Sequence, residues 1–174
     1  MILGLDISTS ITGFTIIDSH GKIIENDVWD TRKYKDFFDK AEAVREGVSK
    51  IHKQYGEQIE HIYIEQSLQT FRSGFSSAKT LSSLSRFNGI VSWLAYSLFQ
   101  IKPEYIAATS ARKLCGIKIP RGEKAKEVVL KFLLDNEPAF VIEYTNHGNP
   151  KPGSYDRADS IIIAKAGAIC EKRK

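Results

Sequence analysis

Apolar residues in the first thirty positions are separated by short polar turns and predict three strands joined as hairpins. The strands are expected at residues 2–8, 12–18 and 22–29, with turns at residues 8–10 and 18–21. An aspartate, Asp6, stands within the apolar run of the first strand. An ionised carboxylate in an apolar setting is costly unless it is paired, hydrogen-bonded or bound to a metal. The presence of Asp6 in this strand therefore needs a physical explanation.

Helical spacing of apolar residues predicts helices over residues 34–55 and 75–99, with a strand at residues 60–65 between them. In the second helix the apolar stripe is expected to contain Leu81, Leu84, Ile90, Trp93 and Leu94. A strand at 104–108, helices at 110–115 and 123–134, a loop at 145–154 and a closing helix over 156–170 complete the pattern. Strands first, then strands alternating with helices, indicate a single α/β domain over residues 1–174 with a mixed sheet.

The composition is typical of a globular protein: of 174 residues, 42% are hydrophobic and 26% are charged. No run of about 18 apolar residues occurs, so we expect no membrane span. The N-terminus lacks the features of a signal peptide, and a cytoplasmic location is the expectation. Cys115 and Cys170 have no metal-site spacing and are predicted to be free thiols.

The net charge of +4 and the pI near 9.0 suggest a polyanionic partner without requiring one. The basic residues gather in one segment, in which Arg112, Lys113, Lys118, Arg121 and Lys124 lie close together, with Lys126 beyond them. A solvated surface is the alternative explanation for this segment.

Four acids stand at positions where chemistry is expected. Besides Asp6, these are Glu65 at the end of a predicted strand, and Asp156 and Asp159, one turn apart on the closing helix. Singly, Asp156 could be a helix cap or a first-turn acid, and Glu65 an exposed strand end. Together they could converge, and crowded carboxylates repel unless cations neutralise them. Oxygen ligands suit Mg²⁺ or Mn²⁺, and two such ions about 3.5–4 Å apart can promote phosphodiester cleavage.

Five segments of the chain resemble RuvC-type Holliday junction resolvases, within the ribonuclease H-like fold. They are GLDISTSITGF, IYIEQS, SAKTLSSLSRFNGIVSWLAYSL with a small-residue break at Asn88-Gly89, RGEKAKEVVLKFL and DRADSIIIAKAG, in the family's order. The resemblance implies a mixed sheet of three antiparallel strands followed by parallel strands, flanked by helices. It also implies that Asp6, Glu65, Asp156 and Asp159 are catalytic metal ligands. Family members are homodimers that cut two opposing strands of a four-way DNA junction with Mg²⁺ or Mn²⁺.

The resemblance also implies DNA-binding residues, with two departures from the family. The predicted set is Phe71, Arg72, Phe75, Arg112, Lys113, Lys118, Arg121 and Lys124. The family's junction-wedging aromatic follows the second acid closely, whereas here Ser67-Leu68 stands at that place. Leu68, Phe71 or Phe75 could act as the wedge, or the two phenylalanines could cover the core. Residues 118–120 lengthen the basic loop, so the family's junction sequence preference does not carry over.

Several alternatives stay open at this stage. Ser82, Ser85 and Gly89, with Leu81, Trp93 and Tyr96, could form a helix contact across a two-fold axis or pack on the chain's own sheet. The same four acids would serve a nuclease acting more broadly on branched DNA, flaps or RNA–DNA hybrids. A non-catalytic DNA-binding module is a further alternative. A kinase-type or actin-type nucleotide-binding domain is disfavoured because it needs a second such domain. The departures from the bacterial pattern also fit a viral resolvase, acting in an infected host cell.

Overall fold

A five-stranded mixed sheet forms the centre of the molecule. The computed structural model describes residues 1–66 and 78–174. Strands β1 (Ile2–Asp6), β2 (Ile11–Ile17) and β3 (Ile23–Asp30) pair antiparallel as consecutive hairpins. Strands β4 (His61–Glu65) and β5 (Glu104–Ile106) extend the sheet in parallel beside β1, giving the order β3-β2-β1-β4-β5. The predicted mixed α/β sheet is confirmed.

Five helices cover the two faces of the sheet within the described residues. They are α1 (Phe37–Tyr55), α2 (Ala78–Phe99), α3 (Ala108–Leu114), α4 (Ala125–Asn136) and α5 (Ser154–Glu171). Helices α1 and α2 pack on one face, over side chains such as Leu3 and Leu5 of β1. Helices α3, α4 and α5 pack on the other face, over side chains such as Ile2 and Tyr63. In residues 1–66 and 78–174, no helix has the length and apolar character needed to cross a bilayer.

Two glycines allow α5 to lie directly on the first two strands. A Cβ atom added at Gly4 would stand 2.6 Å from the backbone nitrogen of Ala164, and one added at Gly13 would stand 2.0 Å from the carbonyl oxygen of Asp156. Any larger residue would therefore push the helix away from the sheet. Gly13 pairs with Asp6 in the antiparallel register of β1 and β2. The close approach thus brings the first turn of α5 over the end of β1.

Several element boundaries differ from the predicted ones, and single side chains explain two of them. Strand β1 ends at Asp6, since the Ser8 hydroxyl donates to the Ile11 carbonyl (2.8 Å) and accepts from the Ile11 amide (3.1 Å), which turns the chain. Asp6 consequently ends the strand instead of interrupting it. Helix α1 begins at Phe37, because the carboxylate of Asp36 accepts from the backbone of its first turn. Helix α5 begins at residue 154, two residues before the predicted start.

The buried face of α2 agrees with the predicted stripe at Leu94 and at Ile90, which packs against the core, and differs from it at Trp93. Its buried side chains include Phe87, Val91, Leu94 and Ala95, whereas the Trp93 side chain is 64% exposed. The prediction that Trp93 belongs to the buried stripe is therefore wrong, because the helical turn points residue 93 away from those four. The helix also runs unbroken through Asn88-Gly89, where the resemblance implied a break.

An exposed stripe of small and aromatic residues lies along α2. It consists of Ser82, Ser85, Gly89, Trp93 and Tyr96, and we call it the α2 stripe. These five residues are exposed, so they do not pack on the chain's own sheet, which was one of the two alternatives; Leu81, the sixth residue of that alternative, is partly buried. Cys115 and Cys170 are free thiols, as predicted.

Candidate active site

Two of the four predicted acids leave the sheet side by side. Asp6 is the last residue of β1 and Glu65 the last of β4, and the two strands are parallel neighbours in which Leu5 faces Ile64. Side chains alternate between the faces of a sheet. The side chains of Asp6 and Ile2 therefore lie on one face of the sheet, and those of Glu65 and Tyr63 lie on the same face. This face is the one covered by α5.

The other two acids come from α5. Asp156 lies in its first turn, directly over Gly13, and Asp159 follows one turn later. Asp156 does not cap the helix, because Gly153 occupies that position. The structure brings the four acids into one neighbourhood at the end of β1 and β4, and we call Asp6, Glu65, Asp156 and Asp159 the acid cluster.

Burial and mutual repulsion raise the pKa of the acid cluster. Burial raises the pKa of Asp6 well above its ordinary value, and the carboxylates of Glu65, Asp159 and Asp156 raise it further. Burial raises the pKa of Glu65 to about 7, with the Asp159 carboxylate adding to the effect. The pKa values of Asp156 and Asp159 are raised mainly by burial as well. Proximity of like charges in a partly buried site is the arrangement that attracts a cation.

Three basic side chains act on the cluster from its rim. The Lys126 ammonium lies 3.8 Å from the Asp159 carboxylate and lowers the pKa of all four acids. The Arg112 guanidinium lowers the pKa of Glu65 and Asp159, and the Arg32 guanidinium lowers that of Asp156. Arg112 belongs to the predicted DNA-binding set. Lys126 and Arg32 were not predicted as site residues, although Lys126 lies in the basic segment noted in the sequence.

A buried polar network fixes the start of α5 against the sheet. The hydroxyls of Thr15 and Ser160 lie 2.7 Å apart, and both residues are fully buried. The Asn26 amide donates to the Thr15 hydroxyl (2.8 Å) and accepts from the Arg157 guanidinium (2.9 Å). Because Arg157 and Ser160 flank Asp159 in the helix, this network sets the direction in which the two helix acids point.

A second polar contact fixes the end of β4. The side-chain amide of Asn88, a buried residue of α2, donates to the Glu65 carbonyl at 3.2 Å. The Gln66 amide in turn donates to the Ile106 carbonyl at 3.0 Å. These contacts hold the chain in place where the Glu65 side chain leaves the sheet. The sequence indicated Asn88 only as part of a small-residue break, and its contact with the Glu65 carbonyl was not predicted.

The donor chemistry of the acid cluster fits a hard divalent cation. Carboxylate oxygens are preferred by Mg²⁺ and Mn²⁺ and disfavour zinc, which takes nitrogen and sulfur ligands. As the side chains stand, no group of three or more His, Cys, Asp or Glu residues in the described ranges is arranged to hold a metal ion. The carboxylates would have to turn towards a shared ion to bind it.

The predicted DNA-binding residues that the structure describes lie on α3 and in the segment that leads from α3 to the start of α4. Arg112, Lys113 and Lys118 line a cavity of about 240 Å³ between α3 and the loop after it. Arg121 and Lys124 are exposed, and the Lys124 ammonium pairs with Glu127 at 3.0 Å. The predicted wedge candidates, Leu68, Phe71 and Phe75, lie outside the described residues, as does Arg72.

Comparison with solved structures identifies the fold. No protein-family model matches the chain, and no curated protein matches it in sequence. Thermus thermophilus RuvC in complex with a Holliday junction substrate superposes with a TM-score of 0.68 and 14% identity, over 99% of this chain and 94% of that chain. A second T. thermophilus RuvC structure gives 0.63 and 16%, over 99% and 95%.

The yeast mitochondrial Holliday junction resolvase Ydc2 is similar over a smaller share of its own length. It superposes with a TM-score of 0.55 and 18% identity, over 99% of this chain and 79% of that chain. Taken with the strand order and the flanking helices, these similarities show that the chain has the ribonuclease H-like fold of RuvC.

Proposed function

We propose that this protein is a metal-dependent endonuclease that resolves four-way DNA junctions by paired, symmetric cleavage of two strands. The observation that carries the proposal is the position of Asp6, which is half-buried at the end of β1 and surrounded by three further carboxylates. This cluster stands on a fold shared with a RuvC that binds a Holliday junction. Partial burial of four carboxylates together costs free energy that apolar side chains would not cost. The cluster is therefore better explained by a chemical role than by a contribution to stability.

The four acids would share the work of holding Mg²⁺ or Mn²⁺, with two ions per site. The ions, when bound, would activate a water molecule and stabilise the leaving oxygen of the phosphodiester. Asp6 and Glu65 are fixed to adjacent strand ends, so they would define the floor of the site. Asp156 and Asp159 would close it from α5, whose orientation depends on the hydrogen bonds of Arg157 and Ser160.

Binding of DNA would rest on the basic residues of α3 and of the segment that leads to α4. Arg112, Lys113 and Lys118, with Arg121 and Lys124, would neutralise backbone phosphates and make affinity depend on salt. Contacts of this kind position a duplex without reading its bases, so the shape of the junction would dominate recognition. The wedge role of Leu68, Phe71 or Phe75, and a DNA contact by Arg72, remain predictions.

A homodimer would supply the second active site that paired cleavage needs. The α2 stripe supports this, because it joins small residues, over which two helices can approach closely, to Trp93 and Tyr96, which are 64% and 38% exposed. An isologous two-fold contact along this helix would bury both aromatic residues. It would also relate the two acid clusters by the symmetry of a four-way junction.

Cleavage of an immobile four-way junction tests the proposal. Purified protein with Mg²⁺ is expected to make paired nicks at symmetric positions, and far fewer cuts in a flap or an RNA–DNA hybrid. Ca²⁺ should support binding with little cleavage, because its loose coordination suits in-line attack poorly. Asp6→Asn should abolish cleavage, whereas the matched variant Asp135→Asn, at an exposed position of α4, should not.

Other outcomes would replace the proposal. Equal cutting of all three substrates would indicate a nuclease of broader specificity, and junction binding without cutting would indicate a non-catalytic module. Full cleavage by Asp6→Asn would show that the acids are not the metal site.

A further inference from the structure

The positive charge of Lys126 lies close enough to the acid cluster to act on all four of its carboxylates. It is the second residue of α4, and its ammonium lies 3.8 Å from the Asp159 carboxylate. The Lys126 side chain is 61% exposed, whereas that of Asp159 is 13% exposed. The lysine therefore reaches from the surface and places its charge beside a largely buried carboxylate.

The position of this charge distinguishes it from an ordinary surface ion pair. A pair between two exposed side chains contributes little, because water and salt screen it. Here the partner, Asp159, is largely shielded from solvent and stands near three further carboxylates, and Lys126 lowers the pKa of each of the four. One ammonium consequently offsets part of the repulsion within the entire cluster.

We propose that Lys126 is a built-in counterion of the acid cluster, which stabilises the cluster in the metal-free protein and competes with the divalent ion for it. The inference rests on the proposed function, because it takes the same four acids as the metal ligands. The ammonium pairs with Asp159, so the ion must draw that carboxylate away from Lys126. Binding of the ion therefore replaces the positive charge of Lys126 beside the carboxylates with that of the metal. Lys126 consequently lowers the affinity of the acid cluster for the divalent ion.

Binding of Mn²⁺ to DNA-free protein, followed by the electron paramagnetic resonance signal of free Mn²⁺, tests the inference without any cleavage assay. Lys126→Gln is expected to bind Mn²⁺ about tenfold more tightly at low salt, the size expected for one unit charge near a divalent ion in a polar environment. The difference should shrink as salt is added. Lys126→Arg keeps the charge and should remain near the wild-type affinity.

A matched control comes from the same helix. Lys131→Gln removes one exposed positive charge from α4 and should leave Mn²⁺ affinity within about twofold of wild type, because exposed charges away from the site are screened. Thermal unfolding gives a second readout. In EDTA, Lys126→Gln should melt at a lower temperature than the wild type, and saturating Mn²⁺ should remove or reverse that difference.

The outcomes separate the inference from the proposed function. If the wild type binds Mn²⁺ and Lys126→Gln binds it equally or more weakly, the counterion role is wrong. A melting difference that Mn²⁺ leaves unchanged would also overturn it. If the wild type binds no Mn²⁺, or binds it as well after Asp6→Asn, the metal site itself is wrong.

Discussion

Replacing Glu65 with glutamine should stabilise the metal-free protein at alkaline pH. The substitution keeps the size of the side chain and removes one of the crowded negative charges. Glu65 is only partly accessible to solvent, and burial together with the Asp159 carboxylate raises its pKa to about 7 from an ordinary 4.5. The ionised form is therefore disfavoured in the folded protein relative to the unfolded chain.

The size and pH dependence of the effect follow from these two pKa values. The difference between them corresponds to a cost of about 3 kcal/mol on the ionised folded state. Below about pH 4.5 Glu65 is protonated in both states, and the cost is absent. It grows as the pH rises and is complete above about pH 7. We expect a net gain of about 1–3 kcal/mol at pH 8 for Glu65→Gln, because new amide contacts offset part of the relief.

Urea unfolding in EDTA at about pH 5 and pH 8 measures this prediction. Glu65→Gln should exceed the wild type in free energy of unfolding mainly at the higher pH. Glu57→Gln, at an exposed position after α1, should match the wild type at both. Addition of Mg²⁺ should stabilise the wild type more than Glu65→Gln, since only the former keeps all four ligands. A loss of stability at pH 8, or an equal gain at both pH values, would refute the reasoning.

Three further substitutions test the packing, the interface and the DNA contact. Gly13→Ala should lower the free energy of unfolding by about 3 kcal/mol or more and weaken Mn²⁺ binding, because a Cβ there would stand 2.0 Å from the Asp156 carbonyl. An unchanged free energy of unfolding in urea would contradict the close approach of α5. Trp93→Arg should convert the proposed dimer to monomer in sedimentation without loss of folding, and an unchanged mass would exclude the α2 stripe as the interface. Lys118→Gln should weaken junction binding and lower its salt slope by about 1, and an unchanged slope would remove Lys118 from the phosphate contacts.

The strand acids could be located from the sequence because their placement depends on local regularities. Alternation puts Asp6 on the same face as Ile2, and Glu65 on the same face as Tyr63. The strands that carry them are neighbours in the sheet and end together. Asp159 could likewise be placed on the inner side of its helix from periodicity, because the following residues on that side are apolar.

The remaining features depend on contacts that periodicity does not encode. Lys126 meets Asp159 from a different helix, and Asn26 meets Arg157 across 131 positions of the chain. Nothing in the spacing of these residues indicates such partners. Trp93 was misplaced for a related reason, since an apolar residue on a helix indicates burial without indicating whether the partner is the sheet or a second molecule.

Helix and strand ends were also shifted by individual hydrogen bonds. The Ser8 hydroxyl ends β1 two residues early, and the Asp36 carboxylate delays α1. Each is a single polar contact that competes with a continuing element. The first of these determines that Asp6 stands at a strand end, where its carboxylate can face α5 and the other acids.

The most direct test of the account is the anomalous diffraction of Mn²⁺ in crystals of this protein. The account predicts at least one strong peak in contact with carboxylate oxygens of both Asp6 and Glu65, with Asp156 or Asp159 completing the site. Crystals that hold Mn²⁺ elsewhere, and show none at the acid cluster at a concentration sufficient for cleavage, would contradict it.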